Sequence, residues 1–221
     1  MQTSRRVNLI GACLGLMTFG WGFYNPIPER ATYSCPETQT LGGQLCRGQM
    51  PHQMSEEAWG QMGAVAYKAA AQLMQSNNSV PQPLTEKQKK YLRPFFGDLV
   101  DRVKVVYEAT LMEDWVAASF KINVGESNAQ VYGDVIYVKK PHKEGDLEQL
   151  ILLAHELVHC QQYEELGSLG AFGYHYFKEY KKAGESYRDN SFEVEAFGRE
   201  EAFSQWLAGE VSRTTGKYHR H

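Results

Sequence analysis

The apolar run from Leu152 to Tyr163, "LLAHELVHCQQY", carries His155, Glu156 and His159. Its leucines and valines mark it as buried, and burying two imidazoles and a carboxylate without polar partners is costly. On a helix, at about 100° per residue, His155 and His159 fall one turn apart on one face, with Glu156 in the same arc. Rings so spaced can aim a nitrogen each at one tetrahedral metal ion. The intervening Glu then reaches a water on the metal, a pattern that points to zinc. Zinc makes such a water acidic enough for Glu156 to take its proton and later deliver it to a leaving group, which is the chemistry of hydrolysis.

Two imidazoles leave a catalytic zinc short of a third protein ligand, with a fourth position open. "SYRDNSFEVEAFGREEAF" offers the candidates. On a helix Glu193 has Ala196 and Phe197 three and four residues on, which places it on an inward face. Glu195 has Arg199 four residues on and reads as an exposed ion pair, so Glu193 is preferred and Glu195 remains the alternative. Glu200 and Glu201 read as a solvated face. A developing oxyanion needs a donor besides the metal. Tyr187, six residues before Glu193, is the candidate, with Tyr163 and His175 behind it; for each of the three, an aromatic packed against the core is the more ordinary reading. Cys160, beside His159, reads as a small buried apolar residue, with sulfur ligation as the alternative.

These side chains need a rigid frame. Asp146 caps a helix over 146–166, with Gln149 as reciprocal partner and Gly167 as its stop. Leu147, Leu150, Ile151, Leu153, Ala154, Leu157 and Val158 make that helix apolar nearly all round, hence central. Further helices are expected over 168–183 and 191–209. Upstream, Ser55 caps an amphipathic helix with Trp59, Met62, Val65, Ala66, Ala69 and Leu73 on its apolar face. Thr85 and Gln88 form a capping box for "EKQKKYLRPFF". Strands are expected from Val103 to Tyr107, through the alternating Phe120, Ile122 and Val124, and as a pair in "AQVYGDVIYV" turning at Gly133-Asp134. Strands followed by helices give an α+β fold with a small mixed sheet, a central His-bearing helix and C-terminal helices.

With 221 residues, 43% of them hydrophobic, the chain can bury one core but not two ordinary ones. Its net charge of -3 and the lack of a dense Lys/Arg cluster argue against a nucleic-acid partner. Arg5 and Arg6 precede eighteen uncharged residues, and "NPIPER" then breaks any helix. Residues 1–24 therefore read as a signal peptide or membrane anchor, and the chain as exported: periplasmic, extracellular or membrane-anchored. Residues 25–54 form an extended connector, 55–210 the catalytic domain and 211–221 a polar tail. In an exported chain Cys35 and Cys46 could close a loop by a disulfide.

The motifs together resemble the zincin metallopeptidases of the gluzincin kind, whose third ligand is Glu. The stretches "YLRPFFGDLVDRVKVVYEA", "NAQVYGDVIYV" and "LLAHELVHCQQY" resemble more closely the bacterial DUF4157 family, a zincin-like domain also found in extracellular contractile injection systems. "NSFEVEAF" is similar to the Glu-bearing helix of M48-type membrane peptidases. The resemblance covers about residues 85 to 205. It implies zinc on His155, His159 and Glu193, Glu156 as catalytic acid and base, a peptide or protein substrate, and "DVIYV" as an edge strand where a peptide pairs by β-addition. Phe197 departs from the pattern, which has an Asp there to support a ligating His. The expectation is a zinc-dependent hydrolase, a peptidase; the rival is a catalytically inactive zinc-binding scaffold or binding module, and peptidoglycan peptides are a further substrate class for the enzyme.

Overall fold

The structure is a computed structural model describing residues 54–112 and 127–218, with side chains as far as residue 213. The expected N-terminal signal or anchor, the connector as far as residue 53, the Cys35 and Cys46 pair, the Phe120 to Val124 strand and the end of the polar tail lie outside those residues. The described residues from Ser55 onward fall in one unit. It is α+β and mostly helical, with a four-stranded mixed sheet.

Helix α1 (Glu56–Asn77) starts where the Ser55 side chain accepts from Ala58 N at 3.2 Å. A short strand β1 (Gln82–Pro83) leads to α2 (Glu86–Phe96), closed at its start by the reciprocal Thr85/Gln88 box. One turn of helix, α3 (Leu99–Arg102), precedes β2 (Lys104–Val106). The hairpin β3 (Ala129–Tyr132) and β4 (Val135–Val138) turns at Gly133, whose φ of 72° is the left-handed conformation that glycine adopts without strain. Three helices complete the chain: α4 (Leu147–Leu166), α5 (Leu169–Lys182) and α6 (Ser191–Tyr218).

Helix α4 is central, as its apolar circumference requires. Leu153, Ala154 and Leu157 are fully buried, against Val105, Ile136 and Val138 of the sheet, Leu92 of α2 and Ala196, Phe203 and Leu207 of α6. Asp146 caps it by accepting from Gln149 N at 3.1 Å, and Gly167 ends it at φ 77°. The expected reciprocal bond is replaced: the Gln149 amide accepts from Lys143 N and donates to Pro141 O, pinning the loop that enters the helix. Leaving those two backbone groups unbonded would cost more than one cap bond returns.

The sheet order is β1-β2-β4-β3, with β2 parallel to β4 and the other pairs antiparallel. Strand β4, "VIYV", is therefore flanked on both sides and is not the expected edge; among the described residues the edges are β1 and β3. The reason is β2, which returns alongside β4 and takes its second row of backbone bonds. Two β3 carbonyls already have side-chain donors, Ala129 from the Ser127 hydroxyl and Val131 from the Tyr67 hydroxyl of α1.

The expected apolar face of α1 is also displaced. Val65 is 54% exposed, while Trp59, Gly60, Gly63, Ala70 and Met74 are buried. Two glycines without side chains let α1 lie almost backbone to backbone on α5, and hydropathy alone does not register that contact. A Cβ on Gly63 would stand 2.5 Å from Gly173 O and 2.5 Å from Phe177 Cβ. Among the described residues no helix is long and apolar enough to cross a membrane. Gly63→Ala is expected to destabilise the fold by about 1–3 kcal/mol through overpacking. Gly198→Ala, with nothing within 4 Å, is expected to be neutral or to stabilise by up to about 1 kcal/mol. Denaturant unfolding of both variants checks the pair, and equal effects would contradict the close approach.

Candidate metal centre

Helix α4 supplies the first two groups. One turn apart, the His155 and His159 rings stand 5.1 Å between centroids, and both residues are buried. The third group comes from the first turn of α6. Asn190, wholly buried, fixes that turn: its side chain accepts from Phe192 N at 3.2 Å and donates to Tyr176 O of α5. Glu193 then faces α4, with its Oε2 3.3 Å from His155 Nε2 and its Oε1 3.4 Å from His159 Nε2.

His155, His159 and Glu193 each offer an atom within 4.8 Å of the others. The outer ring nitrogens already have partners: His155 Nδ1 lies 2.8 Å from Glu200 Oε2, and His159 Nδ1 2.8 Å from Gln162 Oε1. A carboxylate on Nδ1 assigns the His155 proton to that atom, so its Nε2 presents a lone pair inward. Glu193 Oε2 is buried without a hydrogen-bond donor among the described residues. Lone pairs facing an undonated carboxylate oxygen repel unless a cation or protons lie between them. The donor set therefore fits a divalent metal. Ligands about 2.0–2.1 Å from a tetrahedral ion lie about 3.3–3.4 Å apart, and each imidazole Nε2 stands that far from one oxygen of Glu193, His155 from Oε2 and His159 from Oε1.

Without a metal, protons take the same role. Burial alone would lower the His159 ring, but the charge of Glu193, hydrogen bonding with it and Glu156 outweigh burial and lift it from its ordinary 6.5 to about 9. His155 is raised too, with burial opposed first by Glu193 and then by Glu156. For Glu193, burial works upward, yet His159, His155 and Tyr176 hold its carboxyl well below the usual range. Glu156 is 6% exposed beside this group, and burial raises its carboxyl against the pull of His159 and His155.

Tyr187 lies beside the same acids. Burial, and then the charge of Glu193, push its phenol well above the ordinary range, and its ring meets Phe197 edge-on at 6.1 Å. Phe197, standing where the resembled pattern has an Asp, packs its ring against His155 at 4.9 Å. The structure does not bring the other candidates to the metal group. Tyr163 lies against the Gly133 turn, His175 is exposed, and Cys160 is an apolar core residue. The Glu195 carboxylate meets Gln162 Nε2 at 2.9 Å rather than forming the expected pair with Arg199.

Three residues at the site were not expected: Glu200, Tyr176 and Gln162, the last of which meets His159 Nδ1. Glu200 is no plain solvated residue: it supplies the support for His155 that Phe197 cannot, and its position seven residues after Glu193, two turns along the same face, is the legible signal. Tyr176 of α5 donates to Glu193 Oε1 at 2.7 Å. Its only signal is adjacency to His175.

A folded-state value raised to about 9 means the metal-free chain keeps a proton on His159 at neutral pH. Its stabilising contribution is complete below 6.5 and is lost as pH rises through about 9. Metal must displace that proton, so apparent affinity should rise about tenfold per pH unit from 7 towards 9 for each proton displaced. Calorimetric titration in buffers of different ionisation heat should register proton release; pH-independent affinity with no release would contradict the arrangement. No family model, curated protein or solved structure matches this chain.

Proposed function

We propose that the chain is a zinc-dependent peptidase of the zincin-like kind, cleaving a peptide or protein substrate by general-base hydrolysis outside the cytosol. The carrying observation is the convergence of His155, His159 and Glu193, with Glu156 buried beside them. A zinc ion bound there supplies Lewis acidity, polarising the scissile carbonyl and making a water acidic. His155 and His159 present Nε2, and Glu193 presents its undonated Oε2. Glu156 takes the proton of the attacking water on its carboxylate and returns it to the departing amine. The raised carboxyl of Glu156 makes its carboxylate the stronger base for the first half of that exchange. The protonated Tyr187 hydroxyl is the donor available to a developing oxyanion. The export reading rests on the N-terminal apolar run.

Helix α5 covers one side of the site through Tyr176 and Phe172, and two carbonyls of edge strand β3 already have hydroxyl donors. Those contacts favour a second reading, a zinc-binding scaffold without turnover. One comparison separates the two. Glu156→Gln in the full chain should retain one zinc and lose about 10²- to 10⁴-fold in peptide hydrolysis. Turnover surviving that change would remove Glu156 from catalysis, and a zinc-loaded wild type inert towards a broad peptide library would favour the scaffold.

A further inference from the structure

The buried side chain of Gln162 links three parts of the site. Its Oε1 lies 2.8 Å from His159 Nδ1, while its Nε2 donates to Glu195 Oε2 at 2.9 Å and to Phe192 O at 3.1 Å. Both acceptors sit on α6, one to either side of Glu193. A carboxamide can present its two ends either way round, but here only one way is sound. Reversal would set the amide oxygen against a carboxylate and a carbonyl, three acceptors with no hydrogen between them. With Nε2 fixed towards α6, Oε1 faces His159 and needs a donor, so the ring carries its proton on Nδ1 and offers Nε2 to the metal.

We infer that Glu195 is a positioning residue for the metal, acting through Gln162 to set the tautomer of His159 and to tie that ligand to the turn bearing Glu193. The inference rests on the metal-site reading but not on turnover. Helix α6 then serves the site three times: Glu193 faces the imidazoles, Glu200 orients His155 directly, and Glu195 orients His159 through an amide. A carboxylate at position 195 holds the amide more firmly than the Phe192 carbonyl alone, because a hydrogen bond to an ionised acceptor is the stronger one. Glu195 is itself exposed, so its replacement leaves the core intact.

The test uses the full chain as wild type, Glu195→Ala and Glu195→Gln. Zinc affinity is measured by competition with a chromophoric chelator. The tautomer of His159 in the metal-free chain is read from long-range nitrogen–proton NMR correlations at a pH where the ring is neutral. Glu195→Ala should still bind one zinc but about tenfold more weakly, with the Nδ1–H form of His159 no longer dominant. Glu195→Gln, whose amide oxygen still accepts from Gln162, should recover most of the affinity. Wild-type affinity and tautomer in Glu195→Ala would overturn the inference. Complete loss of zinc there would overturn it too, by making Glu195 a ligand. If the wild type bound no zinc, the metal reading would fall, and the tautomer comparison would still decide the role of Glu195.

Discussion

Two imidazole nitrogens and a carboxylate oxygen meet inside an apolar shell, and an undonated carboxylate oxygen there is a charge without a partner. Such a group is tolerated only when something positive stands among its members. Much of the surrounding structure follows from holding that convergence in place. Helix α4 must be central, because the rings emerge from its middle. Helix α6 must begin at Asn190, because one residue of slip would turn Glu193 away by about 100°. The sheet backs α4 with Val105, Ile136 and Val138, so the helix bearing the rings rests on a rigid wall.

The two imidazoles are supported differently. His155 faces a carboxylate oxygen of Glu200, which fixes the ring and strengthens its inner nitrogen as a donor to metal. His159 faces a neutral amide oxygen. Tyr176 adds a third constraint from α5, binding one oxygen of Glu193 and leaving the other without a donor. Three helices thus restrict the same few atoms, so the site is positioned by elements and not by loops.

Much of this was legible in the chain. The i, i+4 histidines on an apolar helix, the caps at Ser55, Thr85 and Asp146, the stop at Gly167 and the Gly133 hairpin all follow from local rules that the fold obeys. The inward position of Glu193 followed from its apolar i+3 and i+4 neighbours. What escaped was set by contacts between elements. Glu200 looked solvated because its partner lies on another helix, 45 residues away in sequence. Glu195 looked paired with Arg199 because an amide on α4 cannot be inferred from α6 alone. The α1 face was misjudged because glycine contributes nothing to an apolar stripe, yet here it makes the closest approach. The edge expectation for β4 came from the resemblance alone; that β4 pairs with β2 as well as with β3 is a matter of topology, which hairpin rules leave open.

X-ray absorption at the zinc edge of the loaded full chain probes the convergence itself. Two imidazole nitrogens and a carboxylate oxygen within about 2.0–2.2 Å of one ion are the result this account requires. A shell containing sulfur at about 2.3 Å, or one with no imidazole scattering, would mean that the ion sits elsewhere and that His155, His159 and Glu193 meet for another reason.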